Sequence, residues 1–227
     1  MPSRKPVPAV LPWLAALSAA APVLVVAAIA ATRFGGVDLA VAYDLLTWTV
    51  ARVLAWIGLA GALVAALLAF RDLGRRCLHA AIALVLSGAT VGVFQWQAQR
   101  LAAESAPDIA SNMAEPPAFS RLAAFHRGSV PAGPGACAAV RAVPTQVLAQ
   151  QATSALVDAG FQVVRASTFE VEGTHEGAWF GFAYDAAIRI RPGRTDIRVA
   201  ARGTRPDGGA ACRLAGELAA ALAANAR

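Results

Sequence analysis

The sequence lacks the short signatures that name a chemistry. It contains no HExxH, no CxxC and no GxSxG, which removes the usual patterns of zinc hydrolases, thiol redox centres and serine hydrolases. His126 and His175 stand far apart, without the spacing that lets two ring nitrogens share a metal, and Ser129 and Ser167 have no neighbours that mark a triad. No metal and no cofactor is expected, and no catalytic residue is assigned. Charged residues make up only 15% of the 227 positions, and no acidic side chain falls within the three long apolar runs of the first hundred residues. A transporter or proton relay needs ionisable groups inside the membrane. The nearest such group, His79, stands at the end of a run and reads as interfacial.

What the chain does have is 57% hydrophobic residues and a mean hydropathy of +0.53, concentrated in its first hundred residues. The runs near 11–32, 50–70 and 77–96 are each close to the ~20 residues that cross a hydrocarbon core. Backbone groups in lipid must bond internally, so each run predicts a helix. The first run is long for a cleaved signal, although Ala28-Ile29-Ala30 would serve as a small-residue site; a retained span is the expectation. Arg4 and Lys5 precede the first run, and Arg71, Arg75 and Arg76 fill the turn between the second and third. The positive-inside rule puts both sites in the cytoplasm and sends whatever follows the third span to the other side. Gly88 with Gly92, and Gly58 with Ala62, are small-residue pairs that predict close packing between spans two and three.

The formal charge is +6 and the isoelectric point about 10.2, a balance that first points to nucleic acid. Its distribution excludes that partner: the excess lies beside the membrane runs, and beyond Arg100 arginines nearly balance acids. Membrane lipids and other envelope proteins are the expected partners, and the oligomeric state is left open.

The chain divides into an anchor at 1–99, a leader and linker at 100–135 and a domain at 136–227. The leader is rich in Ala, Ser, Pro and Gly and reads as a tether. Thr145 to Ala159 has helical spacing and ends at Gly160. Four strands are expected after it: Phe161 to Ala166, Thr168 to Thr174, a long run through Ile190, and Thr195 to Arg202. In the third, Phe180, Phe182, Tyr184, Ala186, Ile188 and Ile190 share one face, and Asp185, Arg189 and Arg191 the other. After the Pro192-Gly193 turn, Asp196, Arg198 and Arg202 join the charged side. A closing helix runs from Ala210 to Ala224. The fold class is α+β, with a four-stranded antiparallel sheet whose apolar side is covered by two helices and whose charged side is exposed.

The six charged residues Asp185, Arg189, Arg191, Asp196, Arg198 and Arg202 are the candidate site. Arginine forks suit carboxylates and phosphates, but a salt-bridged ladder on a solvated face uses the same residues and is the plainer reading. Cys77 lies at the cytoplasmic edge of the third run, whereas Cys137 and Cys212 lie in the external domain. Oxidising compartments permit a bridge between those two, and two free thiols remain the alternative.

Phe180-Gly181-Phe182-Ala183-Tyr184-Asp185, Ile188-Arg189-Ile190, Asp196-Ile197-Arg198 and Arg202, with the leader pieces Asp108-Ile109 and Pro116-Pro117-Ala118-Phe119, resemble the bacterial domain-of-unknown-function 1499 family. The resemblance covers Asp108 to the C-terminus. It implies fold and location rather than an activity, and it implies serines where Val199 and Ala201 stand and an asparagine where Ala211 stands. Two functions fit: a binding or assembly module of the envelope, using the charged face or outer loops, and an envelope-directed hydrolase or transferase using Asp185 or Asp196. An accessory subunit of a membrane complex is a third.

Overall fold

The computed structural model describes residues 10–69, 76–103 and 106–226. It separates into two compact units, Met1–Gln99 and Arg100–Arg227.

The first unit is helical. α1 runs Val10–Gly35 with Pro22 inside it. α2, Arg52–Ala69, is preceded without a break by a π-helical stretch, Ala40–Ala51. α3 runs Arg76–Ala102. Three segments, Ala16–Gly35, Ala40–Ala69 and Leu78–Ala102, are long and apolar enough to cross a membrane. The second differs from the expected 50–70. Its 30 residues would reach about 45 Å at an α-helical rise, more than the ~30 Å hydrocarbon core. The extra turns carry Asp44, within the π-helical stretch. Thr47 and Thr49 donate their hydroxyls to the carbonyls of Ala42 and Asp44, five residues back, at 2.9 and 3.0 Å, and so help satisfy the wider helix. The small-residue expectation is corrected in part. A Cβ on Gly58 would meet the Ser18 Cα at 3.2 Å and the Leu17 carbonyl at 3.3 Å in α1, and the Ser87 hydroxyl of α3 at 3.6 Å, so Gly58 is a close approach of α2 to both, whereas Gly88 and Gly92 face open space. Arg4, Lys5, Arg71 and Arg75, which carry the orientation argument, lie outside the described residues.

The second unit is α+β, with five strands rather than four: β1 Asp108–Ala110, β2 Gln162–Ala166, β3 Glu170–Glu176, β4 Ala183–Arg191 and β5 Arg194–Ala201. Their order is β1-β5-β4-β3-β2, antiparallel throughout. β2 to β5 form the expected meander. The fifth strand comes from the leader: three residues pair with Arg198–Ala200 at the β5 edge, too short a strand for periodicity to reveal.

α4, Ala149–Asp158, and α5, Ala210–Asn225, cover one face. Leu156, Leu214, Leu218 and Leu222 pack there with Val171, Tyr184, Ala186, Ile188, Ile190, Ile197 and Val199, all buried. Each buried aliphatic side chain contributes roughly 1.5–3 kcal/mol relative to exposure. Phe182 is only partly buried against this core, and Phe180 lies beyond the strand. α4 starts later than expected because Gln151 reaches back to the Leu148 N–H at 2.8 Å; the same amide donates to the Asn225 carbonyl at 2.6 Å, tying α4 to α5. Asp207 caps α5, accepting the N–H groups of Gly209 at 2.9 Å and Ala211 at 2.7 Å. Cys137 and Cys212 are disulfide-bonded, with Cα atoms 5.6 Å apart, which joins the segment before α4 to the first turn of α5.

Candidate functional site

Strict alternation places Glu172 and Thr174 of β3, Asp185, Ala187, Arg189 and Arg191 of β4, and Asp196, Arg198 and Ala200 of β5 on the face away from the helices. Asp108 of β1 and Arg202 just past β5 join them. This face is not exposed. Glu172, Asp185 and Asp196 have no solvent-accessible surface, and Arg198 is 7% exposed. Their cover is the leader. Phe119 and Leu122 rest on Ala187 and Ala200 in a second small core, because two alanines leave a hollow where larger side chains would stand. Next to that hollow the Glu172 carboxylate accepts the backbone N–H groups of Ser120, Arg121 and Leu122, the second at 2.9 Å. A buried carboxylate without such donors would be costly, so Glu172 and the turn over it hold each other.

Three ion clusters divide the face. At its centre, Arg198 forks onto Asp108, Nε to Oδ1 at 2.9 Å and Nη2 to Oδ2 at 2.6 Å. The same guanidinium donates to the Pro117 carbonyl at 3.2 Å and the Ser129 hydroxyl at 2.9 Å and lies 4.9 Å over the Phe119 ring. One arginine therefore clasps β1, both halves of the leader and β5.

At one end, Arg202 forks onto Asp185 with both distances 2.8 Å and donates to Thr174 at 3.1 Å. His126 Nε2 stands 2.8 Å from Asp185 Oδ2, and its ring stacks on Phe119 at 4.2 Å. Burial pushes the Asp185 carboxyl up, but the hydrogen bonds from His126, Arg202 and Thr174, with the Arg202 charge, outweigh it and hold the group below its ordinary range. Ser129 bonds the His126 carbonyl, not the ring, so this histidine, serine and aspartate do not form a nucleophilic triad.

At the other end, three arginines converge on Asp196: Arg194 Nε at 2.7 Å, Arg191 Nη2 at 2.7 Å and Arg189 Nη2 at 3.3 Å. Asn112 adds a donor at 3.3 Å. Burial again pushes the carboxyl up, and the donors pull it below its ordinary value. Arg191 also pairs with Glu115 at 2.5 Å; its hydrogen bonds to Asp196 and Glu115 raise its own pKa. Unlike the buried carboxylate, the arginines reach solvent: side-chain exposure is 26% for Arg189, 35% for Arg191 and 45% for Arg194. Beside them a hollow of about 370 Å³ is lined by Arg194, Arg141, Ser111 and Pro144 among others. Arg141 is exposed. Three guanidinium groups thus share the carboxylates of Asp196 and Glu115, an excess of one positive charge, and Arg141 lines the same hollow as Arg194.

All six sequence-named residues share the face, but in two separate clusters plus Arg198. The expected solvated ladder is corrected to a buried clasp with one exposed rim, since a leader read as a tether supplies the cover. Asn112, Glu115 and Arg194 belong to the clusters without having been singled out, Glu172 holds the turn over them, and Asp108 and His126 were named in the sequence but not as members of this face. Glu172 carried a usable signal, alternating with Val171 in β3. His126 carried none, because its partner lies 59 residues away. Val199 and Ala211 lie in the helix-covered core, so the serine and asparagine implied there by resemblance would not have faced these clusters. Among the described residues, no group of three His, Cys, Asp or Glu side chains is placed to hold a metal ion.

The family model described as a protein of unknown function, DUF1499, matches residues 108–222, from the first residue of β1 into the last turns of α5. No curated protein and no solved structure matches the chain.

Proposed function

The chain belongs to the DUF1499 family of proteins of unknown function, and we propose that in this member the α+β domain is an anion-binding module displayed on the outer side of the bacterial inner membrane. The observation that carries the reading is the rim at Asp196. Three arginines converge on this one carboxylate, whereas a single arginine forks onto each of Asp108 and Asp185. Arg189, Arg191 and Arg194 keep part of their side chains in solvent, and Arg194 lines a hollow together with Arg141. Planar forks of this kind recognise phosphate and carboxylate groups, both abundant on envelope lipids and glycans. The buried parts of the face have another task, holding the leader in place.

The external location rests on three supports. The chain has three helices of spanning length. Its basic residues flank the first span and fill the turn between the second and third. The disulfide fits an oxidising compartment. A hydrolase using Asp185 or Asp196 is disfavoured by burial, because each carboxylate is inaccessible and already bonded to guanidinium groups.

Two experiments test the proposal. An export-dependent reporter fused after Arg227 should be active, and activity of a cytoplasmic reporter there would reject the location. Purified full-length protein should gain thermal stability, saturably, from phosphomonoesters or carboxylated glycans; a flat response to all of them would reject the binding role.

A further inference from the structure

We propose that the hollow beside Asp196 takes a phosphomonoester whose ester group is compact and apolar, with Arg141, Arg194 and Ser111 on the phosphate; this rests on the anion-binding role proposed above and narrows it to one ligand chemistry. The hollow measures about 370 Å³, at the small end of the range for ligand sites.

The wall that carries Arg141 is held at both ends. On one side, Cys137 is disulfide-bonded to Cys212, and the Val140 N–H donates to the Cys137 carbonyl at 3.1 Å. Ala139 lies so close to α5 that a Cβ on Gly216 would meet its Cβ at 2.8 Å. On the other side, Val143 and Thr195 exchange both backbone hydrogen bonds, at 3.0 and 2.9 Å, and the Thr195 hydroxyl donates to the Thr145 carbonyl at 2.9 Å. Val140 and Val143 are buried, while Arg141 between them is exposed. The fold thus fixes the backbone at Arg141 and leaves its guanidinium in solvent. A wall already in place costs little ordering entropy when a ligand arrives.

Three side chains that line the hollow keep donors unused. Arg141 has no hydrogen-bond or ion-pair partner among the described residues. Arg194 commits its Nε to Asp196 at 2.7 Å, which orients the fork, and its two terminal nitrogens have no partner among the described residues. The Ser111 hydroxyl accepts the Ile197 N–H at 2.9 Å, and its proton has no acceptor among the described residues, although Ser111 is only 8% exposed. Two guanidinium groups and one hydroxyl match the three terminal oxygens of a phosphomonoester, whereas a carboxylate has two and leaves one donor idle. Pro134, Ala142 and Pro144 complete the lining with carbon. Sugar hydroxyls would lose water there without gaining a side-chain partner, but an apolar ester group gains about fourfold in affinity for each methylene fully buried.

The test is calorimetric titration of full-length protein in nanodiscs with methyl phosphate, butyl phosphate and pentanoate, against empty nanodiscs as the blank. Butyl phosphate should bind at least about fourfold tighter than methyl phosphate, and tighter than pentanoate, its carboxylate counterpart. Arg141→Gln, which exchanges an exposed side chain, should lose at least about tenfold of the butyl phosphate affinity, and Arg213→Gln should keep it. The same group occurs on soluble esters and on lipids: phosphatidate added to the nanodiscs displaces butyl phosphate if a lipid is the source and leaves the isotherm unchanged if a soluble ester is. Equal affinity for the two phosphates, or for butyl phosphate and pentanoate, would overturn the proposed ligand chemistry and leave the rim an anion-binding site. Butyl phosphate binding that survives Arg141→Gln unchanged would overturn the assignment to the hollow. Binding of none of the three would remove the anion-binding role itself, and this ligand with it.

Discussion

Arg198→Ala removes a guanidinium that holds three segments at once. Arg198 and Asp108 have side-chain exposures of only 9% and 7%, so solvent screening is weak. The variant leaves the Asp108 carboxylate buried without its fork and strips a donor from Pro117 and from Ser129. Breaking a buried pair from one side costs about 3–5 kcal/mol, a large share of the 5–15 kcal/mol that holds a domain folded. With a urea slope of about 2 kcal/mol/M, the midpoint should fall by roughly 1.5–2.5 M. The assay is pulse proteolysis of full-length protein in nanodiscs, following cleavage beyond residue 100. Asp108→Ala should cost a similar amount, and the double variant should be markedly less unstable than the sum, because neither charge is then left alone. A midpoint within about 0.3 M of wild type for Arg198→Ala, or strict additivity in the double variant, would refute the clasp and return the face to a solvated ladder with the small energies such pairs have.

Two further outcomes follow from the same geometry. Folding favours the ionised forms of Asp185 and Asp196, whose pKa values are lowered. Their contribution is therefore complete above the unfolded value of about 3.9 and is lost as pH falls through the lower folded values. Acid unfolding curves should steepen below about pH 4, and Asp185→Asn should flatten that dependence; an unchanged slope would argue against the Arg202 and His126 bonds. The Cys137–Cys212 bridge closes a separation of 75 residues, worth about 4.5 kcal/mol in the chain-entropy model. Non-reduced peptide mapping should recover the linked pair, and reductant should lower the midpoint by a comparable amount; complete alkylation of both thiols without reductant would contradict it.

Much of the fold was legible because its signals are local and periodic. The three apolar runs, the alternation in β4 and the Pro192-Gly193 turn need no distant information. Alternation also put Asp185, Arg189, Arg191, Asp196, Arg198 and Arg202 on one face. What covers that face was not legible. The leader has no periodicity, and it is held by contacts across 50 residues or more: Glu172 to the backbone of 120–122, Arg198 to Asp108, His126 to Asp185. A three-residue edge strand and a carboxylate that captures backbone amides leave no spacing pattern. For the same reason Phe119 reads as part of a Pro-rich linker, although it is the side chain on which His126 stacks and over which Arg198 lies.

The rim at Asp196 is most directly tested by an equilibrium titration of full-length protein with a phosphomonoester or carboxylated glycan that stabilises it, repeated on Arg194→Gln with Arg141→Gln and on Arg213→Gln. Arg213 is an exposed arginine of α5 paired with Glu217, so it controls for general loss of positive charge. The account predicts saturable binding that weakens with salt and is retained in Arg213→Gln. In the rim variant it predicts affinity reduced at least about tenfold, the equivalent of 1.4 kcal/mol. Equal affinity in the rim variant and the control would contradict it.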